Sequence, residues 1–318
     1  MKIAVLGGTG LIGSRVVRIL NDEGHEAVPH ARSTGLDLLS EHGLPAALKG
    51  ADVVVNLTRP RSFDDTASVF FRESMENLLV AAQDAGVGHA VILSIVGVDR
   101  VPRVPYYRAK VLQEQLLAAG PVPYSIVRST QFFEFVDAVL SWTSDEHTVR
   151  LPATPLQPVA ADEVARAVAG VSAGAPLEEI RDIAGPEVFA LDELARITLA
   201  ARGDDRAVVT DPGAGLYAAV PGDALLAGPG TIIVGPTYRQ WLKRPVPAPS
   251  APERPHGKVI TKPHALTVLR RAYGPDYAAS VADRLPDRID FDRPADLALL
   301  FELGLTQDRL FSALGGEV

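Results

Sequence analysis

The chain has no cysteine, which excludes disulfides, thiolate metal sites and cysteine nucleophiles. Aromatic residues make up only 6% of its 318 positions. Basic runs are also scarce: none is longer than Lys243-Arg244, and the formal net charge is −8. That balance argues against a nucleic-acid partner, which needs a basic face. No apolar run approaches the roughly 18 residues that a membrane span requires. Lys2 is followed by only four apolar residues before Gly7 and Gly8, so no secretion-signal core forms at the N-terminus. The expectation is a soluble, cytoplasmic protein without membrane or nucleic-acid partners. Histidines and carboxylates show no metal-ligand spacing such as HExxH, so no metal is expected. His147 reads as a loop residue, and Asp64-Asp65, Glu178-Glu179 and Asp204-Asp205 read as turns or solvated faces.

What the chain does have is apolar residues, 47% of the total, arranged in two alternating periods. Short β-branched runs predict strands at 3–6, 27–28, 52–57, 90–94 and 124–127. Between them, helical stripes are predicted over 11–23, 44–49, 68–85 and 106–119, the last two closed by Gly86 and Gly120. Strands alternating with helices at this spacing imply parallel βαβ units, hence an α/β fold with a Rossmann-like doubly wound parallel sheet. After about residue 135 the rhythm loosens. Residues 149–159 look extended, with helices at 162–171 and 191–201 and a strand at 179–183, and these are expected to form a small C-terminal substrate lobe, mainly 136–245. RPVPAPSAPERPH at 244–256 marks a Pro-rich linker, taken as 246–263. Residues 264–318 read as a small helical appendage, with short amphipathic helices at 296–303 and 307–314. Such a segment either docks on the first domain, mediates a homodimer, or hangs as a tail.

Gly7, Gly10 and Gly13 in GGTGLIG follow a predicted strand and open a helix. In that setting Gly7 allows a tight turn, Gly10 lets the backbone approach a pyrophosphate, and Gly13 lets the helix pack on the strand. The helix N-terminus at Thr9, Leu11 and Ile12 offers free N–H groups to phosphates. A nicotinamide dinucleotide site often presents a carboxylate at the end of the second strand. Here that strand ends His30-Ala31-Arg32-Ser33, with an arginine and no acid. A guanidinium there suits a 2′-phosphate, so NADP(H) is favoured while NAD(H) stays possible. The bland alternative is a solvated arginine at a strand end. Asp37 either reaches the adenine edge or is an ordinary loop residue.

Tyr106 and Lys110 are four apart at the start of a predicted helix, and Ser94 ends the strand before it. This trio suits carbonyl reduction. Lys110 would lower the tyrosine's pKa and hold the nicotinamide ribose, Tyr106 would donate the proton, and Ser94 would orient the substrate oxygen. Alternatively Tyr106 packs at the mouth of the site and Lys110 serves only the cofactor. Tyr107 is the rival tyrosine, but it breaks the four-residue spacing.

Together GGTGLIG, VVVNLT, LSIVGVDR, YYRAK and YSIVRSTQFFEF resemble the NmrA-like, NAD(P)H-binding group of atypical short-chain dehydrogenase/reductases. The resemblance runs over roughly residues 1–245, including AGPEVFALDELARI and GPTYRQWL. It implies that Leu57 and Thr58 lie along the cofactor, and that Ser129, Gln131, Phe132 and Phe133 line the nicotinamide side as substrate-binding residues. For these phenylalanines and Phe135, stacking on a flat substrate competes with simple core packing where two lobes meet. The group contains quinone and enone reductases, isoflavone-type reductases and non-catalytic redox sensors. Many members lack the active tyrosine, whereas this chain keeps Tyr-x-x-x-Lys. Three functions follow as expectations: an NADPH-dependent reductase of a small carbonyl, quinone or enone; a nucleotide-sensing regulatory protein; and, less favoured by Arg32, an epimerase or dehydratase holding NAD.

Overall fold

Strand β1 (Lys2–Leu6) is buried along nearly its whole length, as befits a strand covered on both faces. It leads through the glycine turn into α1 (Gly13–Asp22), then β2 (Glu26–His30), α2 (Leu44–Leu48), β3 (Val53–Asn56) and α3 (Thr66–Asp84). The alternation continues with β4 (His89–Ile95), α4 (Pro105–Ala118) and β5 (Tyr124–Ser129). Pro105 opens α4, where a missing N–H costs nothing. Then come α5 (Val136–Trp142), β6 (Thr148–Leu151), β7 (Pro155–Leu156), α6 (Ala161–Ala173), β8 (Ile180–Ala184), β9 (Phe189–Ala190) and α7 (Leu191–Arg202). β10 (Ala207–Thr210), β11 (Ile232–Ile233) and α8 (Tyr238–Leu242) follow. The computed structural model describes residues 1–60, 64–145, 147–243, 259–273, 279 and 281–290.

Seven strands form one parallel sheet in the order β11-β8-β5-β4-β3-β1-β2. The chain leaves β1 for β2 on one side and returns to β3 on the other, so the topological switch lies between β1 and β3. One face packs under α2, α3 and α4, with Leu6, Val54, Leu78, Ile92 and Leu117 in its core. The other packs under α1 and α6, with Val5, Val16, Val55, Val91 and Val168. The doubly wound reading is therefore correct.

The extent of the small lobe needs correction. The helix and strand expected in it at 162–171 and 179–183 are α6 and β8, and both belong to the main sheet. Periodicity announced the elements but not their partners. Ala161, Val164, Ala165 and Val168 of α6 fit closely against α1 because they are small. The lobe itself is built from the parallel pair β6–β10, the antiparallel pair β7–β9, and helices α5, α7 and α8.

The chain divides into two compact units, 1–244 and 245–318. In the second, β12 (Val259–Thr261) leads into α9 (Lys262–Tyr273) and pairs antiparallel with β13 (Arg288–Asp290). Ala265 and Leu269, one helical turn apart, are buried. Residues 259–263 thus form a strand and a helix start where linker was expected, and the appendage contains strands as well as helix. The rest of the linker, and the helices expected at 296–303 and 307–314, lie outside the described residues.

Candidate functional site

The glycine turn sits at the carboxyl end of β1, at the switch point. Gly7 adopts φ +78°, and a Cβ there would stand 2.9 Å from the Leu57 carbonyl carbon. Its amide donates to the His30 carbonyl at 2.8 Å. A Cβ on Gly13 would collide with the Gly7 carbonyl oxygen, so the first turn of α1 rests on the loop itself. Gly8, which the motif reading passed over, is equally constrained: a Cβ there would lie 2.7 Å from the Pro29 backbone. Gly10 is different, since its added Cβ would meet only the Gly7 oxygen, at 3.3 Å. Among the described residues the amides of Leu11 and Ile12 find no acceptor. The Ile12 side chain is buried, whereas Thr9 and Leu11 are exposed. Open amides at a helix N-terminus are the kind of donors an anion accepts from.

At the end of β2, Arg32 and Ser33 belong to a short helical turn, Arg32–Thr34, held by Thr34 Oγ1, which accepts from the Ala31 amide at 2.8 Å. Arg32 Nε lies 4.0 Å from Asp37 Oδ2 with both side chains exposed, a loose pairing that screens easily. Asp37 Oδ1 accepts from the Leu39 amide at 3.0 Å, which fixes the carboxylate. Arg32, Ser33 and Asp37 thus stand on one rim. At the end of β3, buried Asn56 accepts from the Thr58 amide (3.0 Å) and from Thr58 Oγ1 (2.6 Å), which shapes Leu57-Thr58.

Around α4 the structure brings Tyr106 and Lys110 to a common neighbour, Phe71 of α3. The Tyr106 and Phe71 ring centroids are 6.0 Å apart, and Lys110 Nζ lies 5.0 Å from the Phe71 centroid. Lys110 is buried, and its ammonium donates to the Leu93 carbonyl (2.6 Å) and to Gln113 Oε1 (2.5 Å). Burial pushes the Tyr106 hydroxyl up to about 12, and among the described residues the Arg59 charge acts against that rise. The expectation that Lys110 lowers the tyrosine is therefore corrected: Lys110 spends its donors on β4 and Gln113. Tyr107 is buried in the lobe core, away from the face that Lys110 shares with Tyr106, which removes it as the rival. Ser94 is 2% exposed, and its Oγ has no hydrogen-bond partner among the described residues.

Ser129, the last residue of β5, is buried; beyond it Gln131 and Phe132 are half-buried and Phe133 is 2% exposed. Gln131 and Phe132 line a small apolar cavity with Phe135, Leu156 and Tyr217. Phe133 instead packs on Tyr238 (4.9 Å) and Trp241 (5.4 Å). Its expected substrate role is corrected: it is core of the lobe, because those rings fill the space around it. Of the paired acids, Asp65 does more than face solvent, holding Arg108 of α4 at 2.7 Å. Sequence reasoning missed Glu114 and Arg128, a buried ion pair beside the trio. Two signals pointed to it: Glu114 follows Lys110 by four on the same helix, and Arg128 interrupts the otherwise uncharged strand YSIVRS.

Burial lowers Lys110 from the ordinary 10.5 to about 8, partly opposed by the Glu114 charge. Between those values the unfolded chain holds a proton that the folded chain has released. Stability should therefore rise with pH across that window, by roughly 3 kcal/mol at most from this group. Urea unfolding at about pH 8 and about pH 10 should show this rise in the wild type and its loss in Lys110→Met. Parallel slopes in the two proteins would refute it.

A sequence profile of a family described as NAD(P)H-binding matches residues 7–174. Photosystem II assembly factor Ycf39 of Synechocystis sp. is 30% identical over 149 residues, covering 42% of this chain and 46% of that protein. Divinyl chlorophyllide a 8-vinyl-reductase of Cucumis sativus is 29% identical over 177 residues, covering 45% and 42%. The chain thus spans about half the length of the curated relatives it matches. Among solved structures, MoeE5 in complex with UDP-glucose and NAD superposes with a TM-score of 0.56 at 19% identity, covering 76% of this chain and 92% of that one. The UDP-glucose 4-epimerase of Thermus thermophilus, complexed with NAD, gives 0.56 at 18% identity, covering 68% and 89%. These likenesses establish the fold. Among the described residues no helix is long and apolar enough to cross a membrane.

Proposed function

This chain belongs to the NAD(P)H-binding family, and from that premise we propose that it is an NADPH-dependent reductase of a small carbonyl, quinone or conjugated enone. The observation that carries the reading is the open-amide cradle at Leu11 and Ile12 beside a sheet edge holding Ser94, Tyr106 and Lys110. The cradle fits a pyrophosphate, and exposed Arg32 fits a 2′-phosphate, with Asp37 as its only nearby competitor among the described residues. When bound, NADPH supplies a hydride from C4 of its nicotinamide. Tyr106 gives the substrate oxygen its proton, and Ser94, whose buried hydroxyl has no partner among the described residues, is the neighbour to orient it. Burial holds the Tyr106 hydroxyl protonated at neutral pH, the form a proton donor needs, but the rise to about 12 also makes it a weaker acid until the cofactor's charges surround it.

A second reading is a nucleotide-binding module that signals through a partner. Its support is that several curated relatives carry the name of an assembly factor. Two measurements divide the readings. Titration of the protein with NADPH and NADH should show tighter NADPH, with the difference lost in Arg32→Ala; tighter NADH would overturn the use of Arg32. A panel of quinones and enals followed by NADPH absorbance should reveal turnover, and Tyr106→Phe should cut kcat about 100-fold or more with NADPH affinity unchanged. Binding without turnover across the panel would favour the partner-signalling module, and full turnover in Tyr106→Phe would remove Tyr106 from the chemistry.

A further inference from the structure

One helical turn beyond Lys110, Glu114 meets Arg128 of β5 in a bidentate fork. Arg128 Nε donates to Oε1 at 2.9 Å and Nη2 to Oε2 at 2.6 Å. Its Nη1 donates to Asp99 Oδ1 at 3.3 Å, in the turn Val98–Arg100 that follows the strand bearing Ser94. Glu114 and Arg128 are both buried. In register, Arg128 lies beside Ser94 on β4 and Asp182 on β8. One guanidinium therefore ties together the helix of Tyr106 and Lys110, the turn after Ser94, and the inner strand β5. Buried ion pairs are a poor source of net stability, because two charges must leave water. Their geometry is their stronger asset. A buried ammonium such as that of Lys110 also loses its charge unless a counter-charge stands near.

We propose that Glu114 and Arg128 are a positioning pair for Lys110: the fork sets the seat of α4 on the sheet, and the Glu114 carboxylate keeps the buried Lys110 ammonium charged. On α4 itself the phenols of Tyr106 and Tyr107 stay neutral, and α3 presents the uncharged Phe71 ring. Strand β4 contributes the Leu93 carbonyl and Ser94, and β5 contributes Arg128, whose charge Glu114 and Asp99 offset. Asp182 of β8 acts on Arg128, and Arg59 after β3 acts on Tyr106. Among the described residues Glu114 is thus the carboxylate whose charge acts on Lys110, and it works against the drop that burial causes.

The proposal rests on reading Lys110 as the cofactor-side lysine, yet its test needs no turnover. The chain has six lysines, so lysines labelled with carbon-13 at Cε give a sparse NMR spectrum, with Lys110 identified by its loss in Lys110→Arg. Its ionisation midpoint in the full chain should lie near 8. Glu114→Gln should lower that midpoint by about one pH unit, and Glu114→Asp, which keeps the charge but withdraws it by one methylene, should fall between. Leu117→Ala, buried on the same helix, should lower the Tm without moving the midpoint. An unmoved midpoint in Glu114→Gln, or in Glu114→Asp if the glutamine variant does not fold, would overturn the proposal. So would an equal shift in Leu117→Ala. Saturating wild-type protein with NADPH should shift the Lys110 signal; no shift would overturn the reading of Lys110 beneath the proposal, which the Glu114 variants test separately.

Discussion

Gly13→Val is expected to weaken NADPH binding by at least about 100-fold, close to 2.7 kcal/mol, and to lower stability as well. The added Cβ would collide with the Gly7 carbonyl oxygen, an atom of the turn that holds the open amides of Leu11 and Ile12. Helix and turn cannot both keep their places, and overpacking of this kind costs about 1–3 kcal/mol. Gly10→Ala separates the two effects. Its Cβ would meet only the Gly7 oxygen, at 3.3 Å, so the fold should survive with little change in Tm. Binding should still fall, because the methyl stands where the backbone approaches the phosphates. Fluorescence titration with NADPH and a thermal melt on both variants check this. If Gly13→Val bound NADPH as the wild type does, the glycine turn would not be the dinucleotide cradle.

Tyr238→Ala should be the most damaging substitution in the lobe, at about 3–5 kcal/mol or roughly 10 °C in Tm. Its ring is fully buried, 4.9 Å from Phe133, 6.1 Å from Phe189 and stacked on Trp241 at 5.8 Å. Thr237 caps α8 and accepts from the Gln240 amide, which fixes where the ring enters. The hydroxyl pairs with Thr198 Oγ1 at 2.8 Å, so Tyr238→Phe should lose only that bond, about 1 kcal/mol. Urea unfolding of the two variants measures the difference. Equal costs would mean that the lobe is not built around this ring. NADPH affinity should hold in Tyr238→Ala, since the glycine turn belongs to the other layer of the molecule.

Much of this molecule is legible in its sequence. Val53-Val54-Val55 could only be a strand buried on both faces, and the glycine spacing at 7, 10 and 13 admitted few other turns. That Tyr106 and Lys110 face a common neighbour was legible because a helix places residues four apart on one face. Other features were not. Phe132 and Phe133 are adjacent in the same motif, yet one borders a cavity and the other is core. Tyr238, more than a hundred residues away, decides which is which. Arg128 in β5 hinted at a buried partner, but only the seating of α4 on the sheet names it as Glu114.

By itself the sequence determined the order and type of the elements from β1 to β5, the glycine turn between β1 and α1, and the NAD(P)H-binding family, because local periodicity and glycine geometry are properties of neighbouring residues. The tertiary structure alone decided that α6, β8 and β11 complete the main sheet, that Phe133 is lobe core, and that Lys110 is buried against Leu93 and Gln113 beside the Glu114–Arg128 fork. Those outcomes depend on which distant surfaces exclude water from one another, and burial of that kind is written in no short stretch of chain.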